Sequence, residues 1–468
     1  MIDRDFLNRF RAHLTERQLF VEGDRILVGY SGGPDSTCLL HLLHLVGLDI
    51  VAGHLHHGQR EEGESELKLC EAFCTELGVP FAAGHSDVPE MARVMKIGLE
   101  EAGRRARYEF FRQASFRLQC TKVATAHTRD DHVESVLLNL TRGCGIAGLV
   151  GIPEQRNNIV RPLLPFSKEE TRQYCETLGL WTHDDPANRD VHFSRARIRH
   201  RVLPELLAIN PNAVESISRL SRLASEENRY LDSQSVHAIA NTEVQLNGPL
   251  RFVTIRHEAA FDRESWRSVP QVLVRRALKL IASALSAELD YEQTRVAAEG
   301  IAGSGNGSVT SDGDLVVVEW DDRLVHIREA RSPEPFRFSL TIPGVTDSAE
   351  FGWKIEAMAG EPRSFARDSL DVVVDQDRVQ GPLHFRSVQP GDKMSPLGFL
   401  GSRKVSDLLG EAGLTASARR RLPLICDILG VVWVPGVSLA DRVKTDASTE
   451  RGLHMRFSPL ETGAISPT

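Results

Sequence analysis

Short apolar runs and longer amphipathic stretches alternate along the first third of the chain, and each pair is separated by a polar turn. Residues 26–28 form an apolar run that predicts a buried strand; a glycine-rich turn follows, and 36–46 reads as an apolar helix. The signals then recur: strand 50–55, helix 64–77, strand 81–85, helix 99–118, strand 122–127 and helix 131–141. Strands joined through helices are brought side by side in parallel, so the predicted fold class is α/β, a parallel sheet with helices on both faces. Such sheets bind ligands beyond the carboxyl ends of their strands.

After residue 187 the pattern changes. Arginine becomes dense, a helical stretch over 212–240 leads the chain away, and the region to 329 is mostly helical. It closes with two β-branched runs on either side of Asp321 and Asp322, which predict a hairpin. Residues 331–335, R-S-P-E-P, read as a linker; beyond them short strands mix with one helix, ending in a frayed tail after 461. A chain of 468 residues exceeds one compact core, and these changes divide it into domains at 1–211, 212–330 and 331–468, the last α+β.

Composition narrows the class. With 41% hydrophobic and 26% charged residues, and no apolar run of membrane-spanning length, the chain reads as soluble. Its charged N-terminus lacks a signal-peptide core, which predicts a cytoplasmic protein. The seven cysteines have no regular spacing; Cys70 and Cys74 fit neither a zinc nor a redox motif and are predicted to be buried helix thiols. A net charge of −8 argues against a general attraction for nucleic acid, so any such contact must rest on local basic patches.

The turn after the first strand carries the sharpest chemical signal: Ser31, Gly32, Gly33, Pro34, Asp35, Ser36, Thr37. Glycines let backbone approach phosphate oxygens, the helix start offers unpaired N–H groups, and the hydroxyls add donors. It is neither a Walker A loop, lacking the lysine, nor a dinucleotide fingerprint. A capped solvent-facing turn, with Asp35 or Ser36 as the cap, is the bland alternative. Further along, Asp131 and Glu134 lie three apart on a helix start, so both project from one face. They could bind a cationic amine, anchor Mg²⁺ or accept a proton, or simply complement the helix dipole.

The S-G-G-P-D-S string after an apolar strand resembles the PP-loop ATP pyrophosphatases. Several segments further resemble the tRNA(Ile)-lysidine synthetases. His54 to Arg60 matches H-x-x-H-G-x-R; Glu100 to Tyr108 matches E-x-x-A-R-x-x-R-Y with Gly103 at the alanine; Ala126 to Glu134 matches A-H-x-x-D-D-x-x-E; and Thr141 to Leu149, 159–165 and 185–204 continue the likeness. The resemblance covers roughly residues 24–206 and is looser beyond. It implies ATP and Mg²⁺ as cofactors, with the loop holding the leaving pyrophosphate and Asp35 placing metal or phosphates. It also implies L-lysine and a tRNA(Ile) with a CAU anticodon as substrates. The cytidine O2 would be adenylated, and lysine would then displace AMP. On this reading Asp35, Asp131, Glu134, Arg195 and Arg199 are catalytic.

His54 and His57 are read as ATP or base contacts, or as polar groups closing a strand end; no ligand set spaced like a zinc site accompanies them. Arg189, Arg195, Arg197, Arg199 and Arg201 form a basic segment. The family pattern there is R-N-x-x-R, and Ala196 stands at its asparagine. Arg104, Arg107 and Arg197 are expected tRNA contacts. Arg403, Lys404, Arg419, Arg420 and Arg421 make a second cluster, either a tRNA surface or an ordinary solvated face. The rival readings are a PP-loop tRNA thiolase, whose C-x-x-C pairs this chain lacks, and a non-catalytic tRNA-binding protein. The sequence is compatible with a homodimer and does not specify one.

Overall fold

The computed structural model describes residues 4–58, 63–183, 194–361 and 369–460, and the chain forms two compact units, Met1–Arg229 and Tyr230–Thr468. Six strands make the sheet of the first unit: β1 (Arg25–Gly29), β2 (Asp49–His56), β3 (Phe81–His85), β4 (Lys122–Ala124), β5 (Gln155–Arg156) and β6 (Ile159–Val160). Their order is β3-β2-β1-β4-β6-β5. Every neighbouring pair is parallel except the terminal β5–β6 hairpin. The order reverses between β1 and β4, which opens a crevice at the carboxyl end of β1.

Helices before residue 180 accompany the sheet: α1 (Arg4–Glu16), α2 (Pro34–Leu45), α3 (Gly63–Leu77), α4 (Val88–Met95), α5 (Leu99–Leu118), α6 (Arg129–Thr141), α7 (Ile146–Leu149) and α8 (Lys168–Leu178). Helix α6 starts with a capping box between Thr128 and Asp131, and α8 with one between Ser167 and Glu170. In each, the two side chains satisfy orphan N–H groups reciprocally. Helix α8 ends at Gly179, whose φ of 65° suits a left-handed C-cap. The predicted strand over 122–127 is shorter than expected. Its ladder to β6 reaches Ala124, and beyond it Thr125 Oγ1 and His127 Nδ1 bond to each other at 3.0 Å.

The pleat of β1 divides its side chains between two cores. Ile26 and Val28 pack with Phe6, Phe10, Leu39 and Tyr174 on one face. Leu27 packs with Val51, Phe111 and Val123 on the other. Both faces are covered, as a parallel sheet requires. Cys70 and Cys74 are buried in the first core as free thiols, as predicted. Gly84 of β3 leaves room for the ring of α5: a Cβ there would lie 2.5 Å from Phe110 Cδ2.

A thirty-residue helix spans Ala213–Thr242. The predicted hairpin forms, pairing Val316–Trp320 with Leu324–Glu329, and Asp321 Oδ1 accepts from the N–H groups of Arg323 and Leu324 at its turn. It lies inside a five-stranded antiparallel sheet that the sequence pattern does not reveal. The helices Gln271–Ala284 and Tyr291–Ala302 supply buried residues to the same core as this sheet. Residues after 335, joined by Leu250 and Val253, build another core, with antiparallel strands, around Trp353, Phe385, Trp433 and Phe457. Two short helices stand there, Val405–Glu411 and Ala416–Arg421, where one was expected. The tail expected to fray after 461 lies outside the described residues. Among the described residues, no helix is long and apolar enough to cross a membrane.

Candidate active site

At the end of β1 the chain turns through Ser31, Gly32 and Gly33 into α2. Neither Asp35 nor Ser36 caps that helix. Gly33 is its N-cap, with no side-chain cap bond, and Pro34 occupies the first turn. The first turn of α2 therefore has no side-chain acceptor at its N-cap. Gly32 has φ +78°, a left-handed conformation, and a Cβ there would sit 3.1 Å from Cys70 Sγ and from the Trp181 ring. The Ser36 hydroxyl donates to Gly33 O at 3.0 Å and accepts from the Ser31 N–H at 3.2 Å, which holds the turn closed. His54, buried at the end of β2, pairs its Nδ1 with Tyr30 O at 3.0 Å. That bond ties β2 to the root of the loop, the strand-closing alternative for this residue. His57 is half-buried just beyond β2.

The acidic residues of α6 meet the loop through α8. Thr171 Oγ1 donates to Asp35, and the Lys168 backbone N–H donates to Asp130 Oδ2 at 2.8 Å. Lys168 Nζ lies 2.6 Å from Asp131 Oδ1 and 3.8 Å from Glu134 Oε1. Arg199 fastens Glu134 with two bonds, Nε 2.6 Å from Oε1 and Nη2 3.0 Å from Oε2. The same Nη2 is 3.6 Å from Asp131 Oδ1. The Glu134 side chain is 1% exposed and that of Asp131 16%, so Asp131 is the more reachable carboxylate. Asp131 Oδ2 also accepts from the N–H and hydroxyl of Thr128, which fixes its rotamer.

These contacts set the protonation states. Burial raises the Asp35 carboxyl to about 6, with Asp131 and Asp130 adding to the shift against Thr171 and Lys168. Burial also works to raise Asp131, but Lys168, His127 and the Thr128 N–H outweigh it and hold the group down at about 2. His127 falls to about 4, chiefly through burial, with Arg161, Arg107 and Arg195 opposing a further positive charge. His127 is therefore a neutral imidazole at neutral pH.

The structure brings together Asp35, Asp131, Glu134 and Arg199, and sets Arg107 and Arg195 within electrostatic reach of His127. Arg195 Nη2 approaches Ser135 Oγ at 3.5 Å, and its Nε is 3.8 Å from Glu100. Arg104 lies over the Tyr108 ring at 5.2 Å, and Arg197 is exposed. Ala196 is buried. Arg60 and Arg189 lie outside the described residues. Sequence reasoning missed Lys168 and Arg161. Arg161 is buried and donates from Nη1 to Pro153 O at 2.8 Å. The Ser167–Glu170 capping pattern marked a helix start at Lys168, but no local signal placed that helix against α6.

The basic cluster of the second unit is not uniform. Arg421 is 4% exposed and buried in contacts with Glu329 and Ser417, at 2.7 and 2.6 Å. Arg403 pairs with Glu411, Arg419 Nε donates to Leu414 O at 2.9 Å, and Arg420 reaches Ser332. Lys404 is exposed.

Comparison with known proteins adds independent observations. A PP-loop domain family matches residues 4–206, and a TilS substrate C-terminal domain family matches residues 383–456. The chain is 30% identical over 449 residues to a tRNA(Ile)-lysidine synthase of Geobacillus kaustophilus, covering 92% of this chain and 94% of that one. Against the tRNA(Ile)-lysidine synthase of Symbiobacterium thermophilum it is 30% identical over 481 residues, 96% of this chain and 97% of the other. A crystal structure of a TilS C-terminal domain is 24% identical, covering 28% of this chain and 100% of that one, with a TM-score of 0.26.

Proposed function

The chain belongs to the tRNA(Ile)-lysidine synthase family, and we infer that it joins lysine to C2 of the wobble cytidine of a tRNA(Ile) with a CAU anticodon. It is an ATP-using ligase of the PP-loop class. The product, lysidine, converts the anticodon and the amino-acid identity of the tRNA from methionine to isoleucine. The carrying observation is that one turn of α8 joins the phosphate loop at Asp35 to the carboxylate pair at Asp131 and Glu134.

In the first step the cytidine O2 attacks the α-phosphorus of ATP, and the bond to the β-phosphate oxygen breaks. The uncapped start of α2 and the Ser31–Ser36 turn are suited to the departing diphosphate. Arg199 and Arg195 are suited to charge developing on the α-phosphate. In the second step the uncharged ε-amine attacks C2, and the C2–O bond to AMP breaks. The ammonium must lose a proton first, and Asp131 and neutral His127 are suited to accept it. The cytidine has to leave its stack to reach this crevice.

The residues fit a magnesium ion carried in with ATP. Asp35 is a carboxylate at the phosphate turn, and among the described residues no cluster of three protein ligands forms a cage of its own. Asp35 would hold the ion together with the phosphates, and the ion would neutralise charge on the leaving diphosphate. L-lysine as the nucleophile, tRNA contacts at Arg104, Arg107, Arg197, Lys404 and Arg420, and a cytoplasmic location belong to the same proposal.

The thiolase reading lacks support, because none of the seven cysteines forms a C-x-x-C pair. The test is incubation with ATP, radiolabelled lysine and transcripts of tRNA(Ile) and tRNA(Met) bearing CAU. Label should enter the isoleucine transcript alone, and diphosphate and AMP should appear in equal amounts. Diphosphate release without label in tRNA would overturn the assignment.

A further inference from the structure

The carboxylate pair assigned to the incoming amine is already balanced. Two carboxylates, Asp131 and Glu134, face two internal cations, Lys168 and Arg199. A free lysine ammonium would therefore meet carboxylate oxygens that already hold cations, with Asp35 and Asp130 as further carboxylates nearby, and seating it on Asp131 requires an internal cation to withdraw. Arg199 is poorly suited to leave: it makes two hydrogen bonds to a carboxylate that is almost wholly buried. Lys168 holds one short contact and one at 3.8 Å, on a flexible four-carbon stem. It also stands at the start of the helix that contacts the phosphate loop, and the charges of both cations reach Asp35. Thr171, on the same first turn of α8, bonds Asp35 in the phosphate loop, and the charge of Lys168 reaches Asp35.

We propose that Lys168 is a positioning residue that couples nucleotide to lysine: its ammonium occupies the lysine subsite in the empty enzyme and moves to the polyphosphate when ATP binds, vacating Asp131. This rests on the assignment of Asp131 and Glu134 as the amine site. The internal ammonium stands in for the substrate's own, so the carboxylates stay compensated until ATP arrives. A ligand shifts such an equilibrium only by its differential affinity for the two arrangements, and polyphosphate supplies that difference as a competing anion. Lysine and nucleotide must then bind with positive, reciprocal coupling.

The experiment measures binding of radiolabelled lysine to the full chain by equilibrium dialysis, with and without magnesium and the α,β-methylene analogue of ATP. For the wild type, affinity should rise about tenfold with the analogue, within the roughly 5- to 150-fold range usual for coupled sites. Lys168→Met should bind lysine tightly without nucleotide, and the ratio should fall to about one. Lys168→Arg, which keeps a positive charge, should retain part of the ratio and guards against loss of folding in the methionine variant. A wild-type ratio in Lys168→Met overturns the proposal, as does weaker lysine binding by that variant in the absence of nucleotide. So does a wild-type enzyme that binds no lysine when the analogue is present. Asp131→Asn separates the two levels: lysine binding unchanged by that substitution would remove the amine-site assignment itself, whatever Lys168 does.

Discussion

Arg199 and Glu134 stand 65 residues apart in the chain and are joined by two parallel hydrogen bonds, Nε to Oε1 and Nη2 to Oε2. The pair fastens the arginine-rich segment after residue 194 to the start of α6. It also commits Glu134 to Arg199, while Asp131 is held at 2.6 Å by the more flexible Lys168. Ala196 lies on the same segment and is buried.

Asp131→Asn should reduce lysine transfer by at least about a hundredfold, consistent with loss of a general base, while ATP-dependent adenylation persists. Glu134→Gln should impair both steps, because Arg199 loses the anion that orients it. Single-turnover assays that follow diphosphate and lysidine separately check this. Equal loss of both products in Asp131→Asn would move that residue to the adenylation step.

Asp35 gives a pH signature. Its folded-state value of about 6 lies above the ordinary 3.8, so the folded protein holds more protons than the unfolded chain between those values. The burial of this group thus lowers stability as pH rises from about 4 to about 6, and costs nothing below that window. A magnesium–phosphate ligand favours the ionised form, so its binding at pH 6 should release about half a proton. Calorimetry in buffers of differing ionisation enthalpy measures that release. Asp35→Asn should abolish it, and Asp35→Ala should abolish diphosphate release while leaving tRNA binding intact. A proton count independent of Asp35 would contradict the assignment.

Gly32→Ala should cost about 1–2 kcal/mol in backbone strain alone, since φ is +78° and the added methyl would press on Cys70 and Trp181. The disturbed turn should raise KM for ATP. Thermal melts and ATP titrations check both effects; an unaltered melting point would show that the turn has slack.

In the C-terminal cluster, Arg421→Ala should lower stability by about 1–3 kcal/mol, less than for a fully buried pair because Glu329 keeps 32% of its side chain exposed. Lys404→Ala and Arg420→Ala should instead leave stability nearly unchanged. Each should weaken tRNA binding and flatten its salt dependence by about one unit of slope per contact removed. Denaturant melts beside salt titrations of binding separate these roles. An unchanged slope in both exposed variants would make the cluster ordinary solvated surface.

Local signals were sufficient for much of the first unit. The apolar run at 26–28, the S-G-G-P-D-S turn and the apolar helix after it specify a strand, a phosphate-ready loop and a buried helix, because pleat, glycine conformation and apolar spacing act over a few residues. The i,i+3 spacing of Asp131 and Glu134 likewise placed both on one side of α6. What touches those groups was decided by tertiary structure. Lys168 is 37 residues from Asp131, and it meets it only because β6 lies beside β4 and delivers α8 to the crevice. Arg421 looked like its neighbours Arg419 and Arg420, yet only it is buried, on the side of a one-and-a-half-turn helix that faces Glu329. The type of a side chain is written locally, whereas its partner, burial and proton affinity depend on what the rest of the chain brings within a few ångströms.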